Sequence, residues 1–175
     1  MSKRDLKKYL GELDKEQLHE QLIELYDKFS VVKEFYDFVF NPKEDKLLQE
    51  AKLKISHEYF PVSSSGKRRK PKMRRSVAQK IIKHFITLGV DPFVIADVML
   101  YTIEIAQAFS SENIIRQETF YKSMSNSFEQ AVQFSIANGI LSEFNSRIRA
   151  ISEETIAQKW KNKSDFLLIL ERIDE

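Results

Sequence analysis

Apolar residues recur along this chain at steps of three and four, the spacing that lines one face of an α-helix. Leu6, Tyr9, Leu10 and Leu13 open the series, and Ser2 with Asp5 three residues on has the form of a helix-capping pair, predicting a short helix to about Gly11. Asp14 with Gln17 is a stronger pair of the same kind. It introduces Leu18, Leu22, Leu25, Phe29, Val32, Tyr36 and Val39, whose steps alternate between four and three. That heptad seam predicts one helix from about Asp14 to Phe40, about 40 Å long at roughly 1.5 Å per residue. Asn41-Pro42 ends it, because the residue before a proline is pushed out of the α region.

A further helix is predicted from about Lys43 to Tyr59, with Leu47, Leu48, Ala51, Ile55 and Tyr59 on its apolar side and Pro61 closing it. Val77, Ile81, Ile82, Phe85 and Leu88 mark the next, and Gly89 suits the left-handed position that commonly terminates a helix. Asp91-Pro92 then restarts the chain, aspartate as N-cap and proline in the first turn. This helix, to about Phe109, is apolar nearly all round and is expected at the centre of the core. Helices over about Asn113 to Asn138, Leu141 to Lys159 and Ser164 to Ile173 complete the pattern.

The short connections at Gly89 and Gly139 suggest antiparallel hairpins. The two hairpins do not align without gaps, which favours a bundle over a repeat array. The fold expected is therefore all-α: a single-domain helical bundle of about eight helices built from antiparallel helical hairpins. Within it 1–60 form N-terminal helices, 61–74 a basic linker and 75–175 C-terminal helices. The heptad seam suits a dimer or an intramolecular bundle equally by its period, but Phe35, Phe38 and Phe40 widen the stripe beyond a two-stranded seam. A monomer is expected, with Leu22, Leu25, Phe29, Val32 and Tyr36 buried within one chain.

Composition narrows the function classes. The 175 residues match one domain, and a 42% hydrophobic content is enough for a core. Only 4 Gly and 4 Pro argue against the many tight turns of an all-β fold. The absence of cysteine excludes disulfides, cysteine-ligated metals and thiol nucleophiles, and suits a reducing compartment. Met1 to Leu10 has no apolar stretch of signal-peptide type. The longest apolar run, Phe93 to Phe109, is interrupted by Asp97, Thr102, Glu104 and Gln107, so no membrane span is expected and the location expected is cytoplasmic.

Charge is unevenly placed. Lys67, Arg68, Arg69, Lys70, Lys72, Arg74 and Arg75 are seven of the chain's 28 basic residues, set in nine positions with no acidic one, while the rest of the chain is mildly acidic. Clustered cations gain by releasing counterions from a polyphosphate, which makes this run the candidate nucleic-acid-binding segment. A solvated loop, a loop docked on the acidic body, or an anionic lipid surface are the other readings. No aromatic residue lies within the run, and Tyr59 and Phe60 just upstream have the phase of core residues, so any contact would be electrostatic and weakly sequence-specific.

Three segments carry a likeness: Tyr36 to Lys46 (YDFVFNPKEDK), Arg75 to Lys80 (RSVAQK) and His84 to Pro92 (HFITLGVDP). On these the chain resembles an uncharacterised bacterial family catalogued only as a domain of unknown function, domain-of-unknown-function family 6155. The resemblance covers most of the chain and implies a bacterial cytoplasmic protein. It brings no activity, partner or site residue.

Catalytic chemistry finds little support. Of His19, His57 and His84 only His19 forms a Glu-x-x-His pair, with Glu16, and a dinuclear site would need a second such pair. No phosphate-binding glycine loop and no GxSxG elbow is present. No catalytic residue, metal or cofactor is expected. The best polar constellation is Asp97, Tyr101 and Glu104 at i, i+4 and i+7 on the apolar helix. Buried carboxylates need cations or donors, and Lys80, Lys83 and His84 on the preceding antiparallel helix are the partners expected. An ion-pair network is the first reading of this face, a ligand pocket the second. Two binding functions stay in view, on nucleic acid through the basic run or on a protein through helical grooves. An enzyme with an unrecognised pocket at Asp97, Tyr101 and Glu104 is a third.

Overall fold

The computed structural model describes residues 2–62 and 69–174, and among them it contains nine α-helices and no strand. The all-α architecture read from the periodicity is the one found. Contacts divide the chain into two compact units, Met1–Lys43 and Glu44–Glu175.

The first unit comprises α1 (Lys3–Gly11), α2 (Lys15–Lys28) and α3 (Ser30–Phe40). Both expected capping boxes form. The Asp5 amide donates to Ser2 Oγ (3.3 Å) and the Gln17 amide to Asp14 Oδ1 (2.8 Å), with Asp5 and Gln17 accepting in return from the Ser2 and Asp14 amides. The single helix over Asp14 to Phe40 is not found. Phe29 adopts an extended conformation (φ −119°, ψ 110°) and splits it. The break carries no glycine or proline. β-branched Val31 and Val32 weaken the helix locally, and folding α3 back on α2 brings Tyr26 to Tyr36 (ring centroids 6.5 Å) and Tyr26 Oη to Asp37 Oδ1 (3.2 Å). The burial expected of the seam fails with it. Leu22, Leu25 and Phe29 are 41%, 44% and 53% exposed, and Val32 and Tyr36 only half-buried, because three short helices cannot enclose a core.

The second unit is built around α6 (Pro92–Glu112). Asp91 caps it by accepting from the Phe93 amide at 2.7 Å, and Pro92 occupies its first turn, as expected. By length and composition alone α6 could cross a membrane; here ten of its 21 residues, among them Val98, Leu100 and Ile103, are buried inside this unit. Around it pack α4 (Glu44–Tyr59), α5 (Arg75–Leu88), α7 (Glu118–Ala137) and α8 (Leu141–Ala157). Gly89 (φ 75°) and Gly139 (φ 69°) close α5 and α7 in the left-handed conformation that an L side chain rarely adopts. The helix expected from Asn113 starts only at Glu118, because α6 continues to Glu112 and Asn113 turns back to donate to the Phe109 carbonyl (2.9 Å).

Last comes α9 (Lys163–Asp174), seated on α7 and α8 through Phe166. The buried hydroxyls of Thr102 and Ser135 are satisfied within their own helices, Thr102 donating to Val98 O and Ser135 to Ala131 O, each at 2.9 Å. Since α4 packs on α5 and α6, the helices on either side of segment 61–74 lie in one unit.

Candidate functional site

The basic segment returns to the end of α4 and is fastened there by Glu58. The Glu58 carbonyl, an orphan acceptor of the last helical turn, takes the Lys72 and Met73 amides at 2.9 and 3.0 Å. Met73 stands at φ 51°, in the left-handed region. The Glu58 carboxylate accepts Nε and Nη2 of Arg74 (2.9 and 2.7 Å) and the Arg74 amide (3.2 Å), a forked charge-assisted contact. Hydrogen bonding from Arg74 outweighs burial and holds the Glu58 carboxyl below the usual carboxylate range. Arg75 reaches the other way, donating Nε to Ser127 Oγ (2.9 Å) and Nη2 to Gln130 Oε1 (2.8 Å) on α7.

The seven candidate cations thus divide. Arg74 and Arg75 fasten the chain to its own helices. Arg69, Lys70 and Lys72 are exposed, and Lys67 and Arg68 lie outside the described residues. Since Glu58 is a carboxylate whose folded form favours ionisation, its contribution is present above the unfolded-state carboxylate pKa and is lost as pH falls through the folded value. Glu58→Gln is expected to lower the melting temperature at pH 7, with the difference closing on acidification; thermal scans at pH 7 and pH 3 check both.

Beside the segment opens a cleft of about 810 Å³ lined by Tyr59, Phe60, Pro61, Arg69, Lys70, Pro71, Phe109, Glu112 and Asn113. The two aromatics at the end of α4 behave differently. Tyr59 is buried, as its phase predicted, whereas Phe60 is 39% exposed and stands edge-on to Phe109 (centroids 5.7 Å). An accessible ring therefore does lie beside the cations, one step past the helix whose phase suggested core packing. Glu112 is the acidic member of the lining.

The second candidate, Asp97, Tyr101 and Glu104, is half-buried on α6. Its cations come from elsewhere than expected. Arg147 of α8 donates Nη1 to Asp97 Oδ1 (2.6 Å), Nε to Glu104 Oε1 (2.6 Å) and Nη2 to Glu104 Oε2 (2.7 Å). Lys52 of α4 meets Asp97 Oδ2 at 2.7 Å and lies 5.3 Å from the Tyr101 ring centroid. Lys80 and Lys83 are exposed on α5, and His84 lies on that helix against Phe85; the Asp97 and Glu104 carboxylates turn instead toward α4 and α8.

Two carboxylates, one guanidinium and one ammonium close a neutral network across three helices. Burial alone would raise the Asp97 pKa, but the bonds from Lys52 and Arg147 hold it below the usual range. Likewise burial works against the Arg147 charge, and the two carboxylates raise its pKa regardless. With every oxygen's charge matched, the arrangement serves to hold helices in register. Among the described residues no three His, Asp or Glu side chains gather as they would around a metal ion.

Such an architecture, with its strongest charges paired between helices and a cleft beside a fastened basic segment, defines an all-α bundle. The chain belongs to the family of unknown function DUF6155, whose model matches residues 1–174, as the resemblance of the three segments above indicated. Neither a curated protein nor a solved structure matches it.

Proposed function

We propose that the protein is a non-enzymatic binding protein that takes phosphates of single-stranded nucleic acid on Arg69, Lys70 and Lys72, with Lys67 and Arg68 of the same run. What carries the reading is the exposed Phe60 ring beside Arg69 and Lys70 in one open cleft. Cations neutralise phosphates by counterion release while an accessible ring offers a stacking face to any base, a combination that binds single strands with little sequence preference. Arg74 and Arg75 act as fasteners, so the contacting cations stand on a segment tied to α4 and α7.

Anisotropy of a labelled mixed-sequence RNA or DNA oligonucleotide, titrated with protein at low and rising salt, tests this. Binding should weaken with salt at a slope of about −0.7 per phosphate neutralised. Replacing Arg68, Arg69, Lys70 and Lys72 together by alanine should abolish binding and leave the melting temperature nearly unchanged, because exposed cations add little folding energy. Phe60→Ala should weaken binding without altering the salt slope. Failure of the wild-type protein to bind at low salt would sink the proposal, and a quadruple variant that binds undiminished would move the site elsewhere.

A second reading, a protein-interaction module, is favoured by one separate observation: the apolar faces of the first unit are exposed.

A further inference from the structure

Glu112 ends α6 and is exposed, and among the described residues nothing pairs with its carboxylate. It lines the cleft of about 810 Å³ together with Phe60, Arg69 and Lys70. A second cavity of about 280 Å³, around Ser110 and Trp160, shares Glu112 and Asn113 with that cleft, so Glu112 stands where two openings meet. A carboxylate beside cations that hold phosphates needs a reason of its own, because it repels the same phosphates. Side-chain donors around it turn inward. Ser111 Oγ donates back to the Ala108 carbonyl and Asn113 Nδ2 to the Phe109 carbonyl, each at 2.9 Å, and the Tyr121 hydroxyl donates to the Ile115 carbonyl at 3.0 Å. The carboxyl end of a helix adds its own orphan carbonyls and the negative end of its dipole. The junction therefore offers acceptors, and a ligand edge that fits it carries N–H donors.

We infer that Glu112 reads a base of the single strand held in this cleft, and that the base it selects is guanine. The inference rests on the nucleic-acid reading proposed above and adds the sequence preference that cations and a ring do not supply. The parts of a nucleotide find matching groups in one cleft: phosphate on Arg69 and Lys70, the face of the base on Phe60, and its edge on Glu112. Unpaired bases expose their Watson–Crick edge. Guanine alone among the common bases presents adjacent donors there, N1–H and the exocyclic N2–H, and a carboxylate accepts both at once in a charge-assisted fork. Adenine and cytosine set an amino group beside a ring nitrogen that is itself an acceptor and would face the other carboxylate oxygen. Uracil and thymine offer a single N–H between carbonyls. The carboxylate is thus complementary to guanine and mismatched to the rest.

Anisotropy of short labelled uridine strands carrying guanosine, inosine, adenosine or cytidine at one central position, titrated with the full chain at low salt, tests it. The guanosine strand should bind about tenfold tighter than the all-uridine strand, the effect of one good bidentate pair. Inosine keeps N1–H and lacks the amino group, so its strand should fall between the two. Glu112→Gln should erase the difference, since an amide sets a donor of its own against one of the guanine N–H groups. Its melting temperature should match that of the wild type, because the side chain is exposed. Equal affinity for all the strands, or a preference for adenosine or cytidine, would overturn the inference and leave the nucleic-acid reading standing. A guanine preference that survives Glu112→Gln would put the selecting group elsewhere and overturn it as well. If no strand binds at low salt, both readings fall together.

Discussion

Phe128→Ala is expected to cost about 3–5 kcal/mol of folding free energy, measured by urea denaturation of the full chain. Phe128 has no exposed surface, and its ring lies 4.7 Å from that of Phe166, also fully buried, on α9. Phe166 stands edge-on to Trp160 at 5.9 Å, and Trp160 in turn to Phe120 at 5.5 Å. Removing Phe128 takes away the ring on which α9 is seated. The cavity has little means of closing, since α7 is also packed on α6 and α8. The expected loss therefore lies toward the upper part of the usual range for core aromatics. Ile114→Ala is the control: that side chain is 92% exposed, and its removal should change stability by no more than about 0.5 kcal/mol. A loss of under about 1 kcal/mol at Phe128 would mean that α9 is not part of the cooperative core.

What could be read from the chain and what could not follows a physical division. Asp91-Pro92, Gly89 and the Ser2 and Asp14 caps act through bonds and dihedrals within a few residues, so each was legible and each forms. The break at Phe29 was not legible. The heptad steps pass through it undisturbed, Val31 and Val32 alone do not mark it, and the return of α3 onto α2 completes it. Partner choice was hidden for a similar reason. Asp97 and Glu104 announce a need for cations, but nearness in sequence points to α5, whereas the cations come from α4 and α8.

A signal for Arg147 did exist. Phe144, Arg147 and Ile151 stand at i, i+3 and i+7, which sets a cation on the inward side of α8. Lys52 lies one turn after Leu48, at the edge of the apolar face of α4. The basic run looked uniform in sequence because charge counts do not distinguish a cation facing solvent from one facing Glu58 or Ser127. That difference depends on α4 and α7, residues far from the run.

Arg147→Ala is expected to destabilise the protein by about 2–3 kcal/mol at pH 7, between the small effect of an exposed pair and the larger one of a fully buried pair. The side chains concerned, Arg147, Asp97 and Glu104, are 28%, 21% and 34% exposed, which places the network between those limits. Alanine leaves two carboxylates on one face of α6, with Lys52 still on Asp97 but both guanidinium bonds to Glu104 gone. Arg147→Lys should recover little, because an ammonium cannot supply the two parallel bonds to Glu104 and a third to Asp97. Acid supplies the sign. Asp97 has its folded pKa below the unfolded value, so the stability it contributes is complete above the unfolded value of about 3.9 and vanishes as pH falls through the folded one. The gap between wild type and Arg147→Ala should therefore be widest near pH 7 and narrow steadily below about pH 4. Denaturation curves for both proteins across that range decide the matter. A gap that stays constant into acid would show that Arg147 acts by packing its aliphatic stem rather than through the two carboxylates.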